Sequence, residues 1–286
     1  MFEEVTPLIL TFNEAPNVDR TLQRLTWAKE IVVIDSYSSD ETLEILQSYP
    51  QVQIFQREFD THTNQWNYGL QQVKSEWVLS LDADYILTDN LIAEIDALPK
   101  DALIDGYLVR FKYCVFGKPL SGTLLPPREV LFRRKKAVYV NDGHTQLLRV
   151  KGKSCMLASY IYHDDRKSLS RWLWAQDRYL IIEAKKLLET PARELSFGDR
   201  IRRQKILAPV AILIYCLIIN RGILDGWAGW YYAFQRTLAE ILLCIRLIEA
   251  EKLHQGSDQS NAPMLSLETG AIAGGGSKRF TGQKSH

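Results

Sequence analysis

Two aspartates one residue apart, Asp82 and Asp84, close the apolar run Val78, Leu79 and Leu81 in the stretch WVLSLDADY. The run has the length and composition of a short buried strand. Side chains alternate across a strand, so the two acids point the same way once it ends. Their charges repel unless a divalent cation or a pair of sugar hydroxyls lies between them. Carboxylate oxygens suit Mg²⁺ or Mn²⁺, ions commonly shared with phosphates. The alternative for an isolated Asp-x-Asp is a pair of solvated acids in a turn, and the upstream sequence bears on that choice.

The upstream elements repeat one pattern. Val5 to Phe12 reads as a strand with Asn13 and Glu14 at its C-terminal end, and Asn17 opens a helix with Leu22 and Leu25 on one face. Ile31 to Ile34 is the core of a second strand, ending in Asp35. The loop SYSSDET, containing Asp40, feeds a helix from Glu41 to Tyr49, and Val52 to Phe55 gives a third strand. A helix from Thr63 to Lys74 then carries Gln65, Trp66, Asn67, Gly69 and Leu70. Glycine inside a helix costs about 1 kcal/mol against alanine, so either a packed neighbour or a ligand comes close at Gly69. Strands alternating with helices imply an α/β fold with a parallel sheet, whose ligands sit at the carboxyl ends of the strands. Asn13, Asp35, Asp40, Asp82 and Asp84 all fall on that edge.

In order and spacing, TFNE at 11–14, VVIDSYSSDET at 32–42, QWNYGL at 65–70 and LSLDADY at 79–85 resemble the successive motifs of family 2 glycosyltransferases. The resemblance covers the first third of the chain, and within the family it is similar to the small bacterial enzymes akin to lipopolysaccharide core glucosyltransferases. It implies a GT-A (Rossmann-like) nucleotide-sugar-binding domain. It also implies that Thr11, Asn13 and Glu14 lie by the nucleotide with Asp40, Gln65 and Asn67 nearby, and that Asp35 holds the base or ribose. Asp82 would face the ribose or donor sugar, and Asp84 would ligate Mn²⁺ or Mg²⁺ on the diphosphate.

Transfer with inversion needs a carboxylate that takes the acceptor hydroxyl's proton as its oxygen attacks the anomeric carbon. In the segment NDGHTQLL the acid in the matching place is Asp142, whereas related core glucosyltransferases carry a His-Glu pair where this chain has His144-Thr145. Asp142 is therefore either the base or a turn aspartate before Gly143. After a strand from Met156 to Tyr162 comes His163, and the resemblance implies a histidine at this place that completes the metal shell, neutral imidazole being compatible with Mn²⁺. Asp164 and Asp165 are placed to cap a helix from Lys167 to Leu188. On that helix Arg171, Trp172, Trp174, Gln176 and Tyr179 read first as packing. Asn90 to Leu98 is a further helix, Gly106 to Val115 a strand, and Phe116 to Pro127 a loop over the acceptor side. The cations Arg133 to Lys136 form either a solvated turn or a phosphate contact.

The composition agrees with an enzyme of this kind. With 286 residues, 24% charged and 46% hydrophobic, and a net charge of +1, the chain is globular and not a dedicated nucleic-acid binder. Its four cysteines have no metal-type spacing and read as reduced core residues. The N-terminus shows no secretory signal, which places the expected enzyme in the cytoplasm, at the inner face of the plasma membrane. The expected division is a catalytic domain at 1–165, a helical extension at 166–253 and a disordered tail from 254. Within the extension, the apolar run Ile206 to Ile219 contains Pro209 and falls short of the roughly 20 residues a spanning helix needs. With Trp227, Trp230, Tyr231, Tyr232 and Phe234 beside it, residues 206–250 suit peripheral membrane contact, the alternative being a hairpin folded on the domain or on a second subunit. The expected partners are a nucleotide-sugar donor, UDP-linked, and a lipid-linked or glycan acceptor. Two rivals stand beside this reading: a phosphotransferase with Asp82 as nucleophile, and a non-catalytic nucleotide-sugar-binding module at the membrane surface.

Overall fold

The computed structural model describes residues 1–99, 103–122, 124–142 and 145–257, without the side chains of Asp142, Thr145 and 253–257. Met1–Ile248 carries the fold, and Glu249–His286 separates as a second unit. The expected tail lies outside the described residues beyond Ser257.

The chain runs β1 (Val5–Thr11), α1 (Val18–Leu22), β2 (Ile31–Asp35), α2 (Thr42–Gln47), β3 (Val52–Gln56), α3 (His62–Gln72) and β4 (Trp77–Asp82). It continues as β5 (Tyr85–Leu87), α4 (Asp89–Asp96), β6 (Gly106–Val115), β7 (Lys118–Pro119), β8 (Arg128–Arg133), β9 (Ala137–Asp142), β10 (Thr145–Val150) and β11 (Ser154–His163). The helical third is α5 (Leu169–Glu189), α6 (Phe197–Arg203), α7 (Leu207–Ile214), a π-helical turn at Tyr215–Ile219, a 3₁₀ turn at Gly222–Asp225, and α8 (Trp227–Ser257).

The main sheet has the order β3-β2-β1-β4-β8-β6-β11-β5, with β7 on β6, and β9 pairs with β10 apart from it. β3, β2, β1 and β4 are parallel, as the strand and helix alternation requires. β8 then runs antiparallel between β4 and β6, while β6 and β11 are parallel to each other. All five residues of β2 are buried, the signature of a strand covered on both faces. Thr11 aligns with Asp35 and Leu10 with Asp82, so one edge collects the polar strand ends.

Gly69 on α3 faces the sheet: a Cβ there would lie 2.7 Å from Leu8 Cδ1 and 3.1 Å from Ile34 Cγ1. The close approach anticipated at this glycine is therefore to β1 and β2 side chains. Arg133 pairs in register with Trp77, at the start of β4, so the basic run from Arg133 to Lys136 begins at the edge opposite Asp82. That position removes it from the phosphates of a ligand bound at the carboxyl ends. Cys114 and Cys216 are buried as expected, but Cys155 is exposed, because β11 begins with a solvent-facing run.

The aromatic set on α5 departs from the packing reading. The helix buries Leu180, Glu183, Ala184 and Leu187 in its second half, leaving Trp174 and Tyr179 in the first half well exposed. The Arg171 guanidinium lies 4.2 Å from the centroid of the Trp174 ring and 5.2 Å from that of Phe12, just past β1. Among the described residues no helix is long and apolar enough to cross a membrane.

Candidate active site

The loops after β1 and β2 are locked to each other. Asp35, fully buried, accepts hydrogen bonds from Thr11 Oγ1 at 2.9 Å, from Ser38 Oγ at 2.6 Å and from the Ser38 backbone N–H at 2.9 Å. Asn13 turns with φ of 55°, a left-handed conformation that asparagine tolerates better than most residues. Its backbone N–H donates to Ser38 Oγ, and its Oδ1 accepts from the Ser39 N–H at 2.8 Å. Asp40 accepts from the backbone N–H groups of Ala15 and Thr42 and from the Thr42 hydroxyl. Gln65 Nε2 donates to Ser36 Oγ at 2.9 Å, and its oxygen accepts from Arg57. Asn67 pairs through both side-chain atoms with the backbone of Tyr139, at 2.9 and 3.0 Å, and so fixes the strand that ends at Asp142. Asp40, Gln65 and Asn67 hold the edge in shape through these contacts. The Asp142 side chain and His144 lie outside the described residues.

At the end of β4 the chemistry differs. His163 Nε2 and Asp84 Oδ2 are 3.0 Å apart, brought together because β11 pairs with β5 directly after the turn that carries Asp84. Asp84 Oδ1 and His163 Nδ1 are both buried without a hydrogen-bond partner. Burial opposes the charge on each group, but their mutual attraction and hydrogen bond outweigh it, holding the Asp84 carboxyl below its ordinary range and the imidazole above. The histidine ring is fixed edge-on by Tyr85 and Tyr113, with centroids at 5.3 and 4.9 Å. Asp82, beside them, is half-buried. Among the described residues no group of three or more His, Cys, Asp or Glu side chains is arranged to hold a metal ion. The unpaired carboxylate oxygen of Asp84 nevertheless suits a hard divalent cation that takes its remaining ligands from phosphate and water, and His163 joins such a shell as neutral imidazole, giving up the proton that its pairing with Asp84 favours.

Around this pair lies a charged cluster that the sequence reading missed. Lys167 Nζ is 2.7 Å from Glu14 Oε1 and 3.8 Å from Asp165. Burial pushes the Glu14 carboxyl up to about 7 against the pull of Lys167. Burial likewise disfavours charge on Lys167, but Glu14 and Asp165 more than compensate and raise its pKa. Asp164 is held by Arg20 at 2.6 Å and Arg166 at 2.8 Å, and accepts from the Gly117 N–H. Neither acid is the helix cap anticipated for α5: that cap is Ser168, whose side chain accepts from the Arg171 N–H. The reason is local, since Arg20 and Asn17 reach the two acids and tie α1 to the end of β11. A cavity beside the cluster is lined by Tyr113, Phe116, Asp165, Lys167, Trp172 and Tyr231. The only sequence signal for Lys167 was its place directly after a run of charged residues.

A family model described as glycosyl transferase family 2 matches residues 8–155. The chain is 23% identical to an uncharacterized glycosyltransferase of Rickettsia prowazekii (strain Madrid E) over 259 residues, 82% of this chain and 85% of the relative. A poly-beta-1,6-N-acetyl-D-glucosamine synthase of Staphylococcus epidermidis is 29% identical over 130 residues, 41% of this chain and 31% of the synthase. The chain thus spans about a third of the length of some curated relatives it matches. Among solved structures, S. aureus TarS 1-349 in complex with UDP-GlcNAc aligns with a TM-score of 0.50 at 15% identity, covering 88% of this chain and 92% of that one. That likeness is one of fold.

Proposed function

The chain belongs to glycosyl transferase family 2 and has the GT-A fold, and from that premise we propose that it is a metal-dependent inverting glycosyltransferase. Its donor is a nucleotide sugar, UDP-linked, and its acceptor is a lipid-linked or cell-surface glycan, reached through peripheral membrane contact within residues 206–250. The observation that carries the reading is the buried pair Asp84 and His163, each with one unpartnered polar atom at the carboxyl edge of the sheet.

Asp84 and His163 would hold Mn²⁺ or Mg²⁺, and such an ion neutralises the charge that develops on a departing diphosphate. The protein supplies the rest. Asp35 would accept from the donor's base or ribose at the cost of exchanging one of the hydrogen bonds it now receives from Thr11, Ser38 and Gln56. Asn13 and Glu14 line the approach to the diphosphate, and Asp82 faces the ribose or donor sugar. Lys167, pinned between Glu14 and Asp165, sets a fixed positive charge beside the same region. Asp142 takes the acceptor hydroxyl's proton, and its strand is held at Tyr139 by Asn67. Preorganised charge of this kind acts without reorganising during reaction.

UDP titration in the presence and absence of Mn²⁺ tests the binding half. Wild type should bind UDP more tightly with Mn²⁺, and His163→Ala should lose most of that difference while keeping its metal-independent UDP affinity. UDP binding that ignores Mn²⁺ in both proteins would remove the metal from the proposal.

A further inference from the structure

The segment from α7 to the start of α8 has two apolar faces. The inner one packs on the catalytic half: Cys216, Leu217, Ala228, Tyr232 and Ala233 form one cluster with Val115 and Leu120. The outer one has no protein against it among the described residues. Ile214, Ile218, Ile219, Ile223, Leu224 and Trp227 are each at least half exposed, Leu224 at 76%. A helical segment apolar on both faces does not suit water, and a contiguous exposed apolar patch marks a surface for a partner or a membrane.

Charge identifies the occupant. From Arg200 to Leu224 the sequence carries Arg200, Arg202, Arg203, Lys205 and Arg221 and not one acid. Arg202 is turned inward to Glu240 and Glu183, and Arg200 and Arg203 donate to carbonyls between Thr190 and Leu195, while Lys205 and Arg221 stand at the two ends of the apolar run. Apolar side chains bracketed by cations, with a tryptophan at the margin, match the chemistry of an anionic lipid surface.

The turn of this hairpin is clamped to the loop around β7, whose Gly117 N–H donates to Asp164 in the charged cluster. The Asp225 carboxylate accepts from the Ser121 backbone N–H at 2.9 Å and from its hydroxyl at 2.6 Å, while the Asp225 carbonyl accepts from Lys118 Nζ at 2.6 Å. At Gly122 a Cβ would lie 2.7 Å from the Asn220 carbonyl oxygen, so the loop and the turn touch backbone to backbone. Tyr232 packs on Tyr113 at 4.8 Å between centroids, and Tyr113 packs on His163. Tyr231 lines the cavity beside Lys167.

We infer that the outer face of the hairpin docks on an anionic lipid bilayer, and that the Asp225–Ser121 clamp holds the cavity lined by Tyr113, Lys167 and Tyr231 in a fixed relation to that surface. The inference rests on reading that cavity as part of the transfer site. It makes the bilayer the source from which a lipid-carried acceptor sugar reaches the site.

The test is sedimentation of the full chain with phosphatidylcholine vesicles, with and without phosphatidylglycerol, in the absence of nucleotide. Wild type should pellet with the anionic vesicles. Ile218→Ser with Leu224→Ser should bind them at least about tenfold more weakly, since each change removes an apolar side chain from the contact, with UDP titration unchanged. Arg221→Glu, which keeps the apolar face, should weaken binding to the anionic vesicles alone. The inference fails if wild type stays in the supernatant with both vesicles, or if the double variant pellets as wild type does. It fails equally if the double variant only converts a concentration-dependent dimer to monomer, which would assign the face to a second copy of the chain. Vesicle binding is read without donor, so its survival alongside a failed UDP titration would break the transferase reading alone.

Discussion

The two ends of the sheet edge treat their polar atoms in opposite ways. Around Asp35 and Asp40, donors and acceptors meet within the protein: Thr11 and Ser38 supply hydrogen bonds to the buried Asp35, and Ala15 and Thr42 to the exposed Asp40. Around Asp84 and His163, two buried polar atoms have no partner. A buried polar group left unpaired costs about 1–3 kcal/mol, a cost that a bound ligand offsets. The first end is therefore a scaffold whose shape recognises, and the second is a site whose chemistry is completed from outside. The difference yields a rule: mutations at the first end cost stability, and mutations at the second cost response to ligand.

The largest expected effect on stability is at Asp35. Asp35→Ala strands the Thr11 hydroxyl and the Ser38 donors in a buried position and should lower unfolding free energy by about 3 kcal/mol, read by denaturant titration. A change below about 1 kcal/mol would break the contrast. Asn67→Ala is the intermediate case. It removes two hydrogen bonds to Tyr139 and should cost about 1–2 kcal/mol, and turnover should fall further than donor affinity, because the strand leading to Asp142 loosens. A variant whose donor affinity falls as far as its turnover would detach Asn67 from that strand's positioning.

The smallest effect is a change of slope with pH. The folded-state pKa of Glu14, at about 7, lies above its unfolded value of 4.5. Between those values the folded protein binds the proton more tightly, so the stabilisation is present at low pH and is lost as pH rises through about 7. Glu14→Gln should flatten stability against pH across that window, and an unchanged slope would show that Lys167 keeps Glu14 ionised throughout.

Much of this edge was legible in the sequence because strand ends announce themselves. Asp35, Asp82 and Asp84 each close an apolar run, and the alternation of β1 to β4 with α1 to α3 follows from periodicity and turn residues alone. The sequence does not say which polar atoms are already satisfied. Asp40, Gln65 and Asn67 are residue types that bind ligands, yet their contacts brace loops and a strand, a difference carried by distances of about 3 Å that no spacing encodes. Placing β8 between β4 and β6 depends on pairing residues some fifty positions apart, Leu79 with Leu131, beyond the reach of local pattern. Lys167 was missed because a lysine beside acids at a helix start looks solvated, and only the meeting of β11 with α1 buries it. The cap assignment failed for the same reason: Asn17 and Arg20, distant in sequence, claim Asp164 and Asp165.

The most direct test of the contrast is release of UDP from a panel of UDP-sugars, with and without Mn²⁺ or Mg²⁺, by wild type and Asp84→Ala. Wild type should release UDP slowly from one sugar in a metal-dependent manner, and Asp84→Ala should lose at least about a hundredfold of that rate while still binding UDP in the absence of metal. Metal-independent release, or an Asp84→Ala protein that is equally active, would contradict the assignment of this pair to the reacting diphosphate.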